Sequence, residues 1–412
     1  MIYNLDDRMP LKHILLYGIQ ELLAILVATL LIASICEVSV GAGLIGAGLS
    51  TLLYILITKG NSNVYISNSG AFVAPVLFAF GAGGATAAVV GGITICVIYI
   101  AFGFIFGRLN IETMYKFLPK PLIGAVTILI GLSLIGYVPT YLGESGGWGL
   151  VIALITAFII ALVMHYGKGK AKTLPFLIAV GVGYILSVIL TITGVAPLVD
   201  LSVFKDVHLF QIPTFNFMAL NSIDLTTFFS VVIMYIAYSI SAICEVIADH
   251  QAMSVVIGDD LFKRNGIKRI FIAMGCANAL SGIVSGLGQT TYGEGTGCAA
   301  ASKVANARVT AMTSILLVLM GFCGYIQALM VSIPSCVFAG ASLILYPLIS
   351  IAGFNMLINN QVDLSNAKNM LMVGLPISIG LGGVIIGGAN FSLSGTALAL
   401  IVGIILNLIL KE

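Results

Sequence analysis

Apolar residues in this chain come in long runs with little internal alternation, broken by short polar joints. From residue 12 to residue 410 such runs of 17–25 residues recur, the length at which an α-helix crosses the ~30 Å hydrocarbon layer of a bilayer. We count about fourteen, roughly 12–34, 39–58, 68–80, 84–106, 121–138, 149–166, 173–194, 226–248, 268–286, 294–304, 309–325, 330–352, 370–388 and 395–410. The third and tenth are too short to cross alone. The first is full length and has no small-residue cleavage site, so it reads as a retained span. The pattern predicts an all-α polytopic membrane protein.

Composition agrees: 59% of the 412 residues are hydrophobic and 8% charged, and the mean hydropathy is +1.13. The basic residues orient the chain. With the N-terminus cytoplasmic, Arg8, Lys12, Lys59, Arg108, Lys116, Lys120, Lys168, Lys170, Lys172, Lys263, Arg264, Lys268, Arg269, Lys303, Arg308, Lys368 and Lys411 all fall inside, and only Lys205 falls outside, so 17 of 18 share one side. The positive-inside rule therefore predicts cytoplasmic N- and C-termini.

The net charge of +2 carries no message about partners, and no Lys/Arg cluster interleaves with aromatics, so nucleic-acid binding has no support. The seven cysteines form no CxxC pair and read as small buried hydrophobes. His13, His165, His208 and His250 are dispersed, so neither a metal site nor a cofactor is predicted.

The longest polar connection, about 195–225, divides the spans seven and seven. An odd number per half makes two related halves insert upside down, the inverted-repeat plan of many secondary transporters. The short spans supply the matching broken helices. Asn61-Ser62-Asn63-Val64-Tyr65-Ile66-Ser67-Asn68-Ser69-Gly70 opens the third, and Gly288-Gln289-Thr290-Thr291-Tyr292-Gly293-Glu294-Gly295-Thr296-Gly297 opens the tenth. Tyr stands five residues before Gly in both, Tyr65/Gly70 and Tyr292/Gly297. Such backbone survives at membrane depth only inside protein or along a cavity. Two facing helix N-termini would then offer free N–H groups to a solute.

Four acids stand in membrane-crossing stretches: Glu21, Glu245, Asp249 and Glu294. A carboxylate at mid-membrane costs about 2.5–3.5 kcal/mol on the lenient insertion scale, so such acids line a polar path or carry protons. Glu245 and Asp249 are four apart at the end of the eighth span and share one helical face. Ionised together they would repel, so one holds a proton or a donor stands between them. Asp249 could equally belong to a solvated helix end with His250 and Gln251, and Glu21 could lie near the interface beside Lys12 or Arg8. Glu294 begins the tenth helix between Gly293 and Gly295, which permit close backbone approach to a ligand.

These motifs together resemble the nucleobase–cation symporter-2 family, also called nucleobase–ascorbate transporters, and within it the bacterial uracil permeases. The resemblance rests on Gln289-Thr290-Thr291-Tyr292-Gly293-Glu294, Ala279-Leu280-Ser281-Gly282, Val362-Asp363 with Ala367 and Asn369, the Tyr65-to-Pro75 segment and the Glu245 helix. It implies a 7+7 inverted repeat with short antiparallel strands in broken spans 3 and 10. A core domain would comprise residues 1–110 (spans 1–4) and 225–325 (spans 8–11), and a gate domain 111–224 (spans 5–7) and 326–412 (spans 12–14). Carried over by position, Glu245 and Glu294 would hold the ring edge of a nucleobase, backbone around Ser69, Gly70 and Gly293 would complete the site, and Ala28 and Tyr292 would pack on the base. Glu21, Glu245, Asp249 and Glu294 would serve proton coupling.

The implied protein is no enzyme. It is a proton-coupled permease of the bacterial cytoplasmic membrane, surrounded by lipid and often a homodimer. The chain departs from the uracil permeases at Glu21 and Asp249, where they carry His, and at Gly295, where the family has Asn. Xanthine or another purine base is therefore the alternative substrate, although an acid at 294, where xanthine-type members tend to have Gln, favours a pyrimidine. An anion transporter of the same fold would want Arg or Lys near the helix N-termini.

Overall fold

The computed structural model describes residues 1–108, 116, 119–136, 138–142, 146–168, 175–205, 207–383, 386–388, 391–393 and 395–410. In chain order the helices are α1 (Leu11–Ile35), α2 (Val40–Ile57), α3 (Val73–Phe106), α4 (Lys120–Ile135), α5 (Val138–Leu142), α6 (Gly146–Tyr166), α7 (Pro175–Ile192), α8 (Leu225–Ile257), α9 (Leu261–Asn265), α10 (Ile267–Val284), α11 (Gly293–Ser302), α12 (Ala307–Gly321), α13 (Gly324–Ser332), α14 (Ser335–Asn359), α15 (Ala367–Leu381) and α16 (Gly395–Ile409). Among the described residues eight helices are long and apolar enough to cross a membrane, and four more are shorter and apolar.

Three departures from the expected runs have local causes. α3 carries two runs end to end and breaks between them at Gly84 (φ 62, ψ −147), a conformation closed to residues with a Cβ. α8 continues past residue 248 to Ile257, where Gly258 closes it in the left-handed region (φ 73). Glu245 and Asp249 therefore lie within a continuous helix, not at a solvated end. The thirteenth run stops as helix at Leu381, and its tail instead holds β3 (Ile386–Gly388), paired antiparallel with β4 (Phe391–Leu393).

Between α2 and α3 lies β1 (Ile66–Asn68), and between α10 and α11 lies β2 (Gln289–Thr291); the two pair antiparallel, Ile66 with Thr291 and Asn68 with Gln289. Bonds from Ser69 N to Gly288 O and from Tyr292 N to Tyr65 O, both 2.9 Å, extend the ladder. A two-stranded ribbon has two open edges, and buried backbone groups there need partners. Helix side chains supply them. Thr51 of α2 brackets Ile66, donating to its carbonyl (2.5 Å) and accepting from its N–H (3.1 Å). Asn278 of α10 does the same for Gln289, at 3.0 and 2.7 Å.

Packing is selective. α10 lies on α2 and α3, α12 on α1 and α2, and α8 on α3. Separately, α14 lies on α4 and α6, α15 on α4 and α16, and α6 on α7. Small residues bring backbones together at these crossings. A Cβ added at Gly92 would fall 2.7 Å from Gly282 Cα.

Candidate functional site

Both strands feed a helical start in the same way: Gly70, two residues after β1, opens a 3-10 turn that runs into α3, and Gly293, two residues after β2, opens α11. Alignment on the strands thus equates Gly70 with Gly293, not with Gly297 as the Tyr–Gly spacing implied. α11 has ten residues, so at 1.5 Å rise it is about 15 Å long and cannot cross a bilayer.

The helix start, the ribbon and α8 enclose a cavity of about 370 Å³, lined by Ala28, Asn68, Gly70, Tyr292, Gly293, Glu294, Glu245 and Asp249, among others. This lies at the small end of the range for ligand pockets. Six of the seven residues expected to bind substrate line it: Ala28, Gly70, Glu245, Tyr292, Gly293 and Glu294. Ser69 stands behind, its Oγ accepting from Ala71 N at 3.1 Å and from Thr290 Oγ1 at 2.9 Å. Of the proton-coupling group, Asp249 joins Glu245 and Glu294 at the cavity, while Glu21 does not. Glu21 is buried among Thr310 and Thr313 of α12, in a separate small chamber.

Hydrogen bonds hold the acids' surroundings in place. Thr291 Oγ1 donates to Asp249 Oδ2 at 2.5 Å, and a Cβ on Gly293 would lie 3.8 Å from Asp249 Oδ1, so Asp249 flanks the start of α11. Tyr292 donates its hydroxyl to Asn68 O at 2.6 Å, and Gln289 Nε2 reaches Asn68 Oδ1 at 2.8 Å. By contrast, Glu245 Oε2 is buried without a hydrogen-bond partner among the described residues. Leaving a buried polar group unpaired costs about 1–3 kcal/mol, more for a charge. No Lys, Arg or His among the described residues lines the cavity. Among the described residues no three His, Cys, Asp or Glu side chains gather in a way that would hold a metal ion.

Sequence reading missed part of the wall. Thr290 and Thr291 were visible only as members of a motif, whereas Thr127, Phe176, Leu345 and Met356 also line the cavity from helices α4, α7 and α14, and no motif distinguishes them. Periodicity says which residues are apolar, not which helix faces another.

Comparison with known proteins bears on this arrangement. Residues 12–387 match the Permease family (Xan_ur_permease). The uracil permease of Bacillus caldolyticus is 30% identical over 415 residues, spanning 99% of this chain and 94% of that protein. The uracil permease of Escherichia coli K12 is 29% identical over 425 residues, with 99% and 94% covered. Among solved structures, the transmembrane domain of the cyanobacterial bicarbonate transporter BicA superposes with a TM-score of 0.66 at 17% identity, covering 99% of this chain and 100% of that one. The last likeness concerns the fold alone. A match across most of the chain, together with apolar helices in number, makes this a multi-pass membrane transport protein and not an enzyme: the chain belongs to the Permease family (Xan_ur_permease).

Proposed function

We propose that the protein is a secondary active transporter that takes up a nucleobase, uracil foremost, by proton symport through alternating access. The observation that carries this reading is that Glu245 and Glu294 line one small cavity together with the N-terminus of α11. Uracil is planar, with two N–H donors and two carbonyl acceptors. Carboxylates accept from ring N–H groups, and free backbone N–H groups at a helix start donate to carbonyls. Relatives called uracil permeases support the substrate class.

Three carboxyls around one cavity without a basic neighbour repel when all are ionised. A proton on one of them lessens that repulsion, so Glu245, Asp249 and Glu294 are the proton carriers we propose at the substrate cavity. Core and gate domains, divided at about 110, 224 and 325, are supported by the two groups of mutually packed helices. Alternating access would move one group against the other around the bound base. The cavity shares Ala248, Asp249 and Met356 with a larger one of about 840 Å³ that reaches Phe262 of α9. With Lys263 and Arg264 marking the cytoplasmic face, this supports an inward-open state in the bacterial cytoplasmic membrane, both termini inside. A homodimer is what the resemblance implies.

A purine base such as xanthine is the second reading, favoured by an acid at 249. An anion substrate, as the fold shared with BicA would allow, is disfavoured by a wall that has acids and no bases. Proteoliposomes with an imposed pH gradient, given labelled uracil against unlabelled uracil, thymine, xanthine, uric acid, guanine and adenine, test the reading. Uracil should compete best and bicarbonate or sulfate not at all. Uptake that ignores every base, or that survives collapse of the gradient, would overturn it.

A further inference from the structure

The chamber around Glu21 has a composition of its own. Its volume is about 10 Å³, room for one water-sized particle. Glu21, Asn63 and Thr310 line it, with Tyr17, Ser302 and Cys298. Thr313 Oγ1 lies 2.8 Å from Glu21 Oε2, and Thr310 Oγ1 lies 3.4 Å from Oε1. Each hydroxyl has one hydrogen and competing acceptors. Gly18 O is 3.0 Å and Val309 O 3.1 Å from Thr313 Oγ1, and Asn63 O is 3.3 Å from Thr310 Oγ1. Asn63, 3% exposed, turns its Nδ2 to Met253 Sδ, and its Oδ1 has no partner among the described residues.

Asn63 Oδ1, without a partner, thus stands near a buried carboxyl that makes no ion pair among the described residues. Among the described residues no Lys, Arg or His lines the chamber. Such a site lacks positive charge. Hard cations take carboxylate, carbonyl, amide and hydroxyl oxygens together, and the volume admits a single ion no larger than a water molecule.

We propose that Glu21, Asn63, Thr310 and Thr313 form a sodium-ion site behind the half-helix α11. The site touches the first turn of that helix. Gly295 stands there, and a Cβ on it would lie 3.7 Å from Glu21 Oε1, one residue from Glu294. Sodium at Glu21 would thus brace the helix start that faces the substrate cavity. The site stands whether or not the nucleobase reading does, and its test uses no nucleobase.

The experiment is thermal unfolding of the purified full chain in detergent, titrated with NaCl against N-methylglucamine chloride at constant ionic strength. Saturating sodium should raise Tm by about 3–5 °C, as a ligand bound only to the folded state does. The rise should persist in Glu245→Gln and disappear in Glu21→Gln. Should Glu21→Gln not fold, Asn63→Ala, which keeps the carboxylate, should raise the half-saturating sodium concentration about tenfold. Binding of radioactive sodium at equilibrium should follow the same order. A Tm indifferent to sodium, a chamber holding only water or a proton, or a sodium effect unchanged in both variants would overturn the proposal.

Discussion

Asp249 has a structural place at the cavity and, in the function we propose, a chemical task, and its variants separate the two. Its carboxyl accepts from Thr291 at the end of β2 and flanks Gly293 at the start of α11, so a proton gained or lost there is felt by the strand and the helix that frame the cavity. Asp249→Asn keeps the size and an acceptor oxygen while removing the titration. Uptake by the variant should lose most of its dependence on pH while binding falls less than tenfold. A pH profile superimposable on that of the parent would return Asp249 to a purely structural place. Glu245 differs in having a buried oxygen with no hydrogen-bond partner among the described residues, at a cost of about 1–3 kcal/mol.

The central element is a ribbon of two three-residue strands, and strands that short hold only if their edges are satisfied. Thr51 and Asn278 do that for β1 and β2 in turn. Thr51→Val and Asn278→Leu keep volume but strip the bonds, so each should lower stability by about 1–3 kcal/mol, read as a fall in Tm with a larger loss of substrate binding than a surface variant of equal Tm. Where α3 meets α10, Gly92→Leu would drive a side chain into Gly282. Overpacking of this kind costs about 1–3 kcal/mol or more, and unfolding measurements would reveal it. The broken spans were legible in the sequence because Gly, Ser, Asn and Thr interrupt apolar runs at 61–70 and 288–297. Their register was not. Tyr-to-Gly spacing pointed to Gly297, whereas the strand ends equate Gly70 with Gly293, because hydrogen bonding between distant segments leaves no local signature. The tail at 386–393 was misread for a related reason: Ile386, Phe391 and Leu393 are as apolar as a helix end, yet they pair as strands.

At the scale of the whole molecule, the multi-pass, mostly helical character followed from hydropathy, while the cavity required the packing of α4, α7 and α14 against the acid-bearing helices. Glu21 illustrates the gap. Sequence grouped it with the other three acids, yet α12 and Asn63 enclose it in a chamber apart. The open route from α9 through Asn360 and Met356 to Asp249 predicts accessibility from one side. In a background cleared of reactive native cysteines, Asn360→Cys should react with a membrane-impermeant maleimide in inside-out vesicles and not in right-side-out ones. Labelling from the opposite side alone would reverse the assigned orientation. The most direct measurement is equilibrium binding of labelled uracil to the purified protein and to Glu245→Gln and Glu294→Gln. The account predicts saturable binding by the parent, and a loss of about 3 kcal/mol, on the order of a hundredfold in Kd, in each folded variant. Binding by either variant with the affinity of the parent would contradict it.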